Sequence, residues 1–287
     1  MMPDYRIRAL LVDKNVEIVA AVTTALAQEA ELRHLAGRVA AVALAKTMTA
    51  AVLVGSRLKG SERLSIQFNM DGGIRGILVD VDADGNTRGM TQRKVVGAVD
   101  AGPSHYSYGL GNRGTVTLLQ STAFKETARG TAEMTTFDVA GDIEHCLRTS
   151  QQIPSALALA AEYDADIGYA GGVLAQALAG HDATAFGEIE RRFAAGDVMD
   201  ALRRRSAPES LVDAIAVGAA VRIEDRSELR FRCRCSHEKV VDMMRTLPVD
   251  ELEELATNEE PASVTCNFCN VTYEIDSAAL RRLLGER

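Results

Sequence analysis

Glu62-Arg63-Leu64-Ser65-Ile66-Gln67-Phe68-Asn69-Met70 alternates strictly, with Leu64, Ile66, Phe68 and Met70 on one side and mostly polar residues on the other. Period two is the spacing of a half-buried strand. Asp71-Gly72-Gly73 supplies a turn, and Ile74 to Asp82 returns as a second strand. Antiparallel pairing is therefore expected at the centre of the domain. Working outward, Gly114 to Gln120 reads as another strand, with Val116 and Leu118 on one face. Upstream, Tyr5 to Val12 reads as a strand, Val16 to Gln28 as a helix, and Leu32 to Leu58 as a long Ala-rich helical stretch. Downstream, Asp142 to Thr149 reads as a helix, and Ala156 to Glu162 with Gly168 to Leu178 as a late strand pair. Residues 1–178 thus form an α+β domain of antiparallel sheet plus helices.

Composition changes after that point. Residues 179–226 are Ala-rich, charged and read as a helical linker. Phe186, Ile189 and Phe193 make one narrow apolar stripe, and Leu211, Val212 and Ile215 make another, following Pro208 in a first helical turn. Stripes so narrow leave a helix dependent on docking elsewhere. Residues 227–287 hold four of the five cysteines and read as a separate C-terminal module.

The chain of 287 residues carries 32 Lys+Arg against 40 Asp+Glu, a formal charge of −8. An acidic balance argues against a protein built to grip phosphate backbones. No run of about 18 or more consecutive apolar residues is found, so no membrane span is expected. Met1 to Arg8 carries Asp4, Arg6 and Arg8 and lacks the apolar region of a signal peptide, so a cytoplasmic address is expected. Cysteines in a reducing compartment point to metal or redox chemistry.

The chemistry concentrates in Cys233-Arg234-Cys235 and Cys266-Asn267-Phe268-Cys269, thirty residues apart. Two close pairs far apart in sequence are how a chain builds a tetrahedral four-thiolate site, each pair supplying two ligands from one turn. Four thiolates suit zinc or an iron–sulfur centre, and zinc is the commoner structural answer. Leu229, Phe231, Cys233 and Cys235 alternate with Arg230, Arg232 and Arg234, as a strand does. In a straight strand, residues two apart lie about 6.5–7 Å apart at Cα. Two sulfurs on one zinc lie about 3.8 Å apart, so the strand must bend at Arg234. The three arginines either offset the charge of the thiolates or form a solvated strand face. Asn270, after the second pair, stands where such turns often carry Gly, and Asn tolerates the left-handed conformation.

Around the site, helices are expected over Lys239 to Leu247, Asp250 to Ala256 and Ser277 to Leu284, and a strand over Val271, Tyr273 and Ile275. A module of about 60 residues is marginal on its own core. Structural zinc is worth an apparent 10–16 kcal/mol, as a rough figure, in small fingers. Oxidants that consume the thiols would remove the ligands and unfold the module.

Phe231-Arg232-Cys233-Arg234-Cys235-Ser236, Thr246-Leu247-Pro248 and Cys266-Asn267-Phe268-Cys269-Asn270-Val271-Thr272-Tyr273 resemble the thirty-three-kilodalton chaperonin family, redox-regulated heat-shock holdases of bacteria. Upstream, Glu144-His145-Cys146-Leu147-Arg148-Thr149-Ser150-Gln151-Gln152 is similar to a helix of that family, and the resemblance covers nearly the whole chain. It implies one zinc per chain held by Cys233, Cys235, Cys266 and Cys269 in the reduced state, and poor chaperone activity in that state. Oxidation would pair Cys233 with Cys235 and Cys266 with Cys269, with release of zinc. The C-terminal module and then the middle helices would unfold, exposing apolar surface that holds unfolded client proteins without ATP. A homodimer is implied for the oxidised form. Neither enzymatic catalysis nor a nucleic-acid or membrane partner is implied.

Other signals read as structure. Gly109-Leu110-Gly111-Asn112-Arg113-Gly114 matches a dinucleotide fingerprint but opens a strand instead of a helix. Asp80, Asp82 and Asp84 resemble half a calcium loop, but Thr91 stands where the bidentate Glu belongs. Cys146 reads as a buried small hydrophobe, with an accessory redox role as its alternative. His237 reads as an exposed helix start, and His34, His105, His145 and His181 form no cluster. Two competing functions remain. A zinc-ribbon nucleic-acid binder is disfavoured by eight Lys/Arg against eleven Asp/Glu over residues 229–287. A thiol–disulfide oxidoreductase using Cys266 and Cys269 would want a helix after the pair, where a strand is expected.

Overall fold

The computed structural model describes residues 3–97, 100, 106–216, 218–258 and 260–286. The chain divides into two compact units, Met1–Arg232 and Cys233–Arg287.

The first unit is built on two sheets. β1 (Tyr5–Leu11), β2 (Val16–Val22), β8 (Ser155–Tyr163), β9 (Ile167–Ala177) and β10 (Val221–Glu228) form one, in the order β10-β1-β2-β9-β8, every pair antiparallel. The other contains β3 (Arg63–Met70), β4 (Gly76–Asp82), β5 (Asn86–Thr91), β6 (Gly114–Ser121), β7 (Glu126–Glu133) and β11 (Arg230–Phe231). Its order is β11-β5-β4-β3-β6-β7, antiparallel except for the short parallel pair of β11 with β5. The helices of the unit are α1 (Thr24–His34), α2 (Arg38–Val54), α3 (Tyr106–Leu110), α4 (Val139–Thr149), α5 (Ala183–Ala195), α6 (Asp197–Arg203) and α7 (Pro208–Ala216).

α2 lies in the middle, packed on strands of both sheets. Its residues Leu44 and Met48 share a core with Val19 and Leu174 of the first sheet and Ile66, Phe68, Val79 and Leu118 of the second. The expected alternation of β3 is realised, since Leu64, Ile66, Phe68 and Met70 are all buried. A second core lies on the other face of the five-stranded sheet. There Ile7, Leu11, Ile18 and Val173 meet Phe186, Ile189, Leu202, Leu211 and Ile215 from α5, α6 and α7. The two narrow stripes thus find their docking surface on a sheet of the same unit.

Four expectations need correction. Val16 to Gln28 is a strand followed by a helix. β2 is buried on both faces, with Val16, Ile18 and Ala20 in one core and Val19 and Ala21 in the other. A strand covered on both sides reads as a continuous apolar run, which periodicity cannot tell from a helix. The stretch Leu32 to Leu58 is not one helix. α1 ends at Leu35, which takes the left-handed conformation at φ 48°, and Gly37 caps α2. Residues 179–226 are not wholly helical, because Val221–Glu228 adds the edge strand β10 to β1. Leu229 to Cys235 is a strand only over Arg230–Phe231, and residues 232–236 are irregular. The expectation of no spanning segment also needs a finer statement. Arg38–Arg57 is long and apolar enough to cross a membrane, but 83% of its most apolar stretch is buried, as befits a central core helix.

The decoys resolve as turns. Gly72 packs so closely on the glycine-rich run that a Cβ there would collide with the Gly111 backbone N. The Asp71 carboxylate accepts from the Asn112 and Arg113 amides, at 2.9 and 3.0 Å. Asp82 closes the β4–β5 turn by accepting from the Asp84 and Asn86 amides, while Asp80 pairs with Arg88 at 2.7 Å.

The second unit holds α8 (His237–Met244), α9 (Val249–Thr257), the hairpin β12 (Ala262–Thr265) with β13 (Thr272–Ile275), and α10 (Ser277–Gly285). Its core is small: Val240, Met244, Leu252, Ala256, Ile275, Leu280 and Leu283. Ser236 caps α8 by accepting from the Lys239 amide at 3.3 Å, and Asp276 caps α10 by accepting from the Ala279 amide at 2.7 Å.

Candidate metal centre

The loop before α8 carries Cys233 and Cys235, and the turn joining β12 to β13 carries Cys266 and Cys269. In that turn the Asn270 amide donates to the Cys266 carbonyl at 2.8 Å, and the Cys266 amide donates to the Val271 carbonyl at 2.9 Å. This reversal requires φ 58° at Asn270, the left-handed conformation expected there. The opposite loop is held by Lys239, whose Nζ donates to the Arg234 carbonyl at 2.6 Å.

These two turns bring four sulfurs together. Cys233 Sγ lies 3.7 Å from Cys266 Sγ, and Cys235 Sγ lies 3.3 Å from Cys269 Sγ. All four sulfurs fall within 4.8 Å of one another, and all five cysteines of the chain are outside disulfides. Sulfurs about 3.8 Å apart are what a tetrahedral ion with ligands at about 2.3 Å asks for. Each pair in sequence supplies one sulfur to each close contact, so the site is knitted across the two turns.

Burial raises the Cys269 thiol well above its usual range. Cys235 is raised as well, by burial first, while the Tyr273 hydroxyl, donating to its sulfur at 3.1 Å, favours the thiolate. Crowded, partly buried thiols deprotonate readily only beside a positive charge, and a soft divalent ion supplies it. The donor set of Cys233, Cys235, Cys266 and Cys269 therefore fits zinc. Tyr273 is a supporting residue that the sequence reading placed only on a strand. Its signal, an aromatic hydroxyl four residues past Cys269, has meaning only once β13 is folded back.

The remaining candidates lie elsewhere. His237 is the exposed first residue of α8 and is not part of the thiol cluster. Cys146 is buried on α4, its Sγ 4.0 Å from the Val116 carbonyl, and burial pushes its thiol up to about 11. His34 is buried, with Nε2 2.9 Å from the Gly89 carbonyl, and the His181 ring meets Phe186 edge-on. His105 lies outside the described residues.

A two-sheet α+β body followed by a small unit with a four-thiol cluster able to hold a metal ion defines the class of protein. The Hsp33 protein family model matches residues 4–276. The chain is 32% identical to the 33 kDa chaperonin of Geobacter sulfurreducens over 99% of its own length and 95% of that protein. It is 30% identical to the 33 kDa chaperonin of Desulforamulus reducens, covering 99% and 98% of the two chains. The crystal structure of the 33 kDa chaperonin from Thermotoga maritima has the same fold, with a TM-score of 0.89 at 21% identity over 100% of this chain and 99% of that one. The chain belongs to the Hsp33 family of chaperones.

Proposed function

We propose that this protein is a redox-regulated, ATP-independent holdase, switched on when oxidation dismantles its zinc centre. The observation that carries the reading is the convergence of Cys233, Cys235, Cys266 and Cys269 within 4.8 Å in a unit whose apolar core is only a handful of side chains. One zinc per chain, when bound, would cross-link the two turns and contribute stability that such a core lacks.

A peroxide supplies the oxidant. Cys233 and Cys235 form one disulfide and Cys266 and Cys269 the other. Each pair of thiolates gives up two electrons, and with two protons taken from solvent these reduce one hydrogen peroxide to two waters. The disulfides close loops of a few residues and so restore little of the lost stability. Residues 233–287 unfold. The chain runs directly from Cys233 back into β11 and β10, and β10 is an edge strand with mostly exposed side chains. Release of β10 and of the helices in residues 179–226 would uncover Ile7, Leu11, Ile18 and Val173 on the outer sheet face. An apolar patch of that kind holds unfolded chains and supports pairing of two oxidised copies. Clients are aggregation-prone proteins of the cytoplasm. Catalysis, nucleic acid and membranes have no part in this reading.

The test compares reduced and peroxide-treated protein side by side. Zinc content and thiol count establish the state, and light scattering of a heat-denatured client reads the activity. Suppression by the oxidised form alone, reversed by reductant with zinc, is expected. Equal suppression by both forms, with zinc loss confirmed, overturns the switch.

A further inference from the structure

The first unit contains a polar cavity of about 600 Å³ that the thiol chemistry does not use. β1, the turn after α2 and β10 enclose it. Arg6 and Arg8 enter from β1, Arg57 and Lys59 from the turn, and Arg222 from β10. Only Glu17, Glu224 and Asp225 oppose these cations along the lining. Glu17 is already shared by Arg8 at 3.3 Å and Arg57 at 2.8 Å, and Glu224 is taken by Arg222. Asp225 accepts from the Ser227 hydroxyl at 2.6 Å. Lys59 is exposed and makes no side-chain hydrogen bond or ion pair among the described residues.

Arg6 is the unusual residue. It is only 2% exposed, and it lies on the side of β1 opposite Ile7 and Leu11, beside Arg8. Its Nη1 donates to the Val52 carbonyl at 3.1 Å. Its buried Nε, and that of Arg8, meet no acceptor among the described residues. Buried N–H groups of a guanidinium are ordinarily satisfied, because leaving one unpaired costs desolvation with no return. Two adjacent guanidinium groups in a net positive lining match the oxygens of a phosphate. The volume falls in the range of small-molecule sites, larger than a lone inorganic ion requires.

We propose that this cavity binds a small phosphate-bearing anion, with Arg6 and Arg8 donating to its oxygens and Lys59 adding charge at the mouth. Arg222 places β10 in the same site. An occupant would therefore tie the edge strand to β1 and stabilise the packed form by mass action. This reading does not depend on the redox switch, since it concerns the reduced chain alone.

The experiment is calorimetric titration of the reduced, full-length, zinc-loaded protein at constant ionic strength. Pyrophosphate and adenosine diphosphate are the probes, with adenosine and sulfate as comparators. Saturable binding of either phosphate probe is expected, together with slower amide exchange across Val221–Glu228. A preference for the nucleotide would identify an organic phosphate, and equal binding would identify the phosphate moiety alone as the recognised group. Lys59→Ala and Arg8→Met should each weaken binding about tenfold, the worth of one charge-assisted hydrogen bond. Lys59 is exposed, so its variant tests the site without disturbing the core. Three results overturn the proposal: binding no tighter than sulfate, binding unaltered in both variants, or binding that leaves exchange across β10 unchanged.

Discussion

Tyr5 on β1 donates its hydroxyl hydrogen bond to Glu209 Oε2 on α7 at 2.7 Å, and Arg226 of β10 donates to Oε1 of the same carboxylate at 3.0 Å. The Arg226 guanidinium also lies 4.2 Å from the centre of the Tyr5 ring. One carboxylate thus joins a sheet strand, the helix that covers it and the edge strand beside it. Tyr5→Phe removes the donor but keeps the ring. It is expected to destabilise the reduced protein by about 1 kcal/mol and to speed amide exchange across Pro208–Ala216. A denaturation midpoint and exchange pattern equal to those of the parent would show that this contact does not hold α7 down.

Removal of one thiol should be felt in the second unit first. Cys233→Ser leaves three sulfurs on a site that brings four within 4.8 Å. Zinc content is expected to fall below one per chain, and near-native circular dichroism of residues 233–287 to be lost while the two-sheet unit still melts cooperatively. Chelation of the parent protein should reproduce that state. A variant that keeps stoichiometric metal would remove Cys233 from the ligand set.

Asn270 tests the turn without touching a ligand. Its φ of 58° suits Gly or Asn and penalises a β-branched side chain. Asn270→Gly should retain zinc affinity, whereas Asn270→Val should cost about 1–2 kcal/mol, measured by competition with a chromophoric chelator. Equal affinities in the two variants would deny the turn any role in positioning Cys266 and Cys269.

Cys146 should be a bystander to the switch. Burial holds its thiol at about 11, so it should resist alkylation at neutral pH in the folded state. Cys146→Ser is expected to leave zinc content and oxidative activation intact, with a stability loss of about 1–3 kcal/mol from burying a hydroxyl. An unresponsive variant would make this cysteine part of the redox chemistry.

Two tyrosines set an alkaline limit. Burial, with Glu209 adding for Tyr5 and Glu162 for Tyr169, pushes both hydroxyls from 10.0 to about 12. The folded state therefore favours their neutral forms. That contribution is complete below about pH 10 and is lost as pH rises from there towards 12. Tyr169 Oη meets no partner among the described residues, so Tyr169→Phe should be neutral or stabilising by up to about 1 kcal/mol. The double variant Tyr5→Phe, Tyr169→Phe should have a flatter stability profile above pH 10. An unchanged alkaline slope would contradict the assignment.

The sequence by itself determined the features whose cause is local. β3 and β6 declare themselves by alternation, because one face is in the core and the other is not. The left-handed Asn270 and the helix starts at Pro208 and His237 follow from side chains within a few residues. The two cysteine pairs are legible because a zinc turn needs its two ligands close in sequence. Only the tertiary structure decided the rest. β2 lies between two cores and so loses the period that marks a strand. β10 is a strand because β1 offers it a free edge, which no property of residues 221–228 announces, and of the alternation over Leu229–Cys235 only Arg230–Phe231 finds a partner, on β5. Tyr273 reaches Cys235, and Glu209 reaches Tyr5, across chain separations of 38 and 204 residues. Arg6, in sequence only a charge on the strand Tyr5 to Val12, is buried. Pairing energies of this kind belong to surfaces assembled from distant segments, and they exist only once the chain has closed on itself.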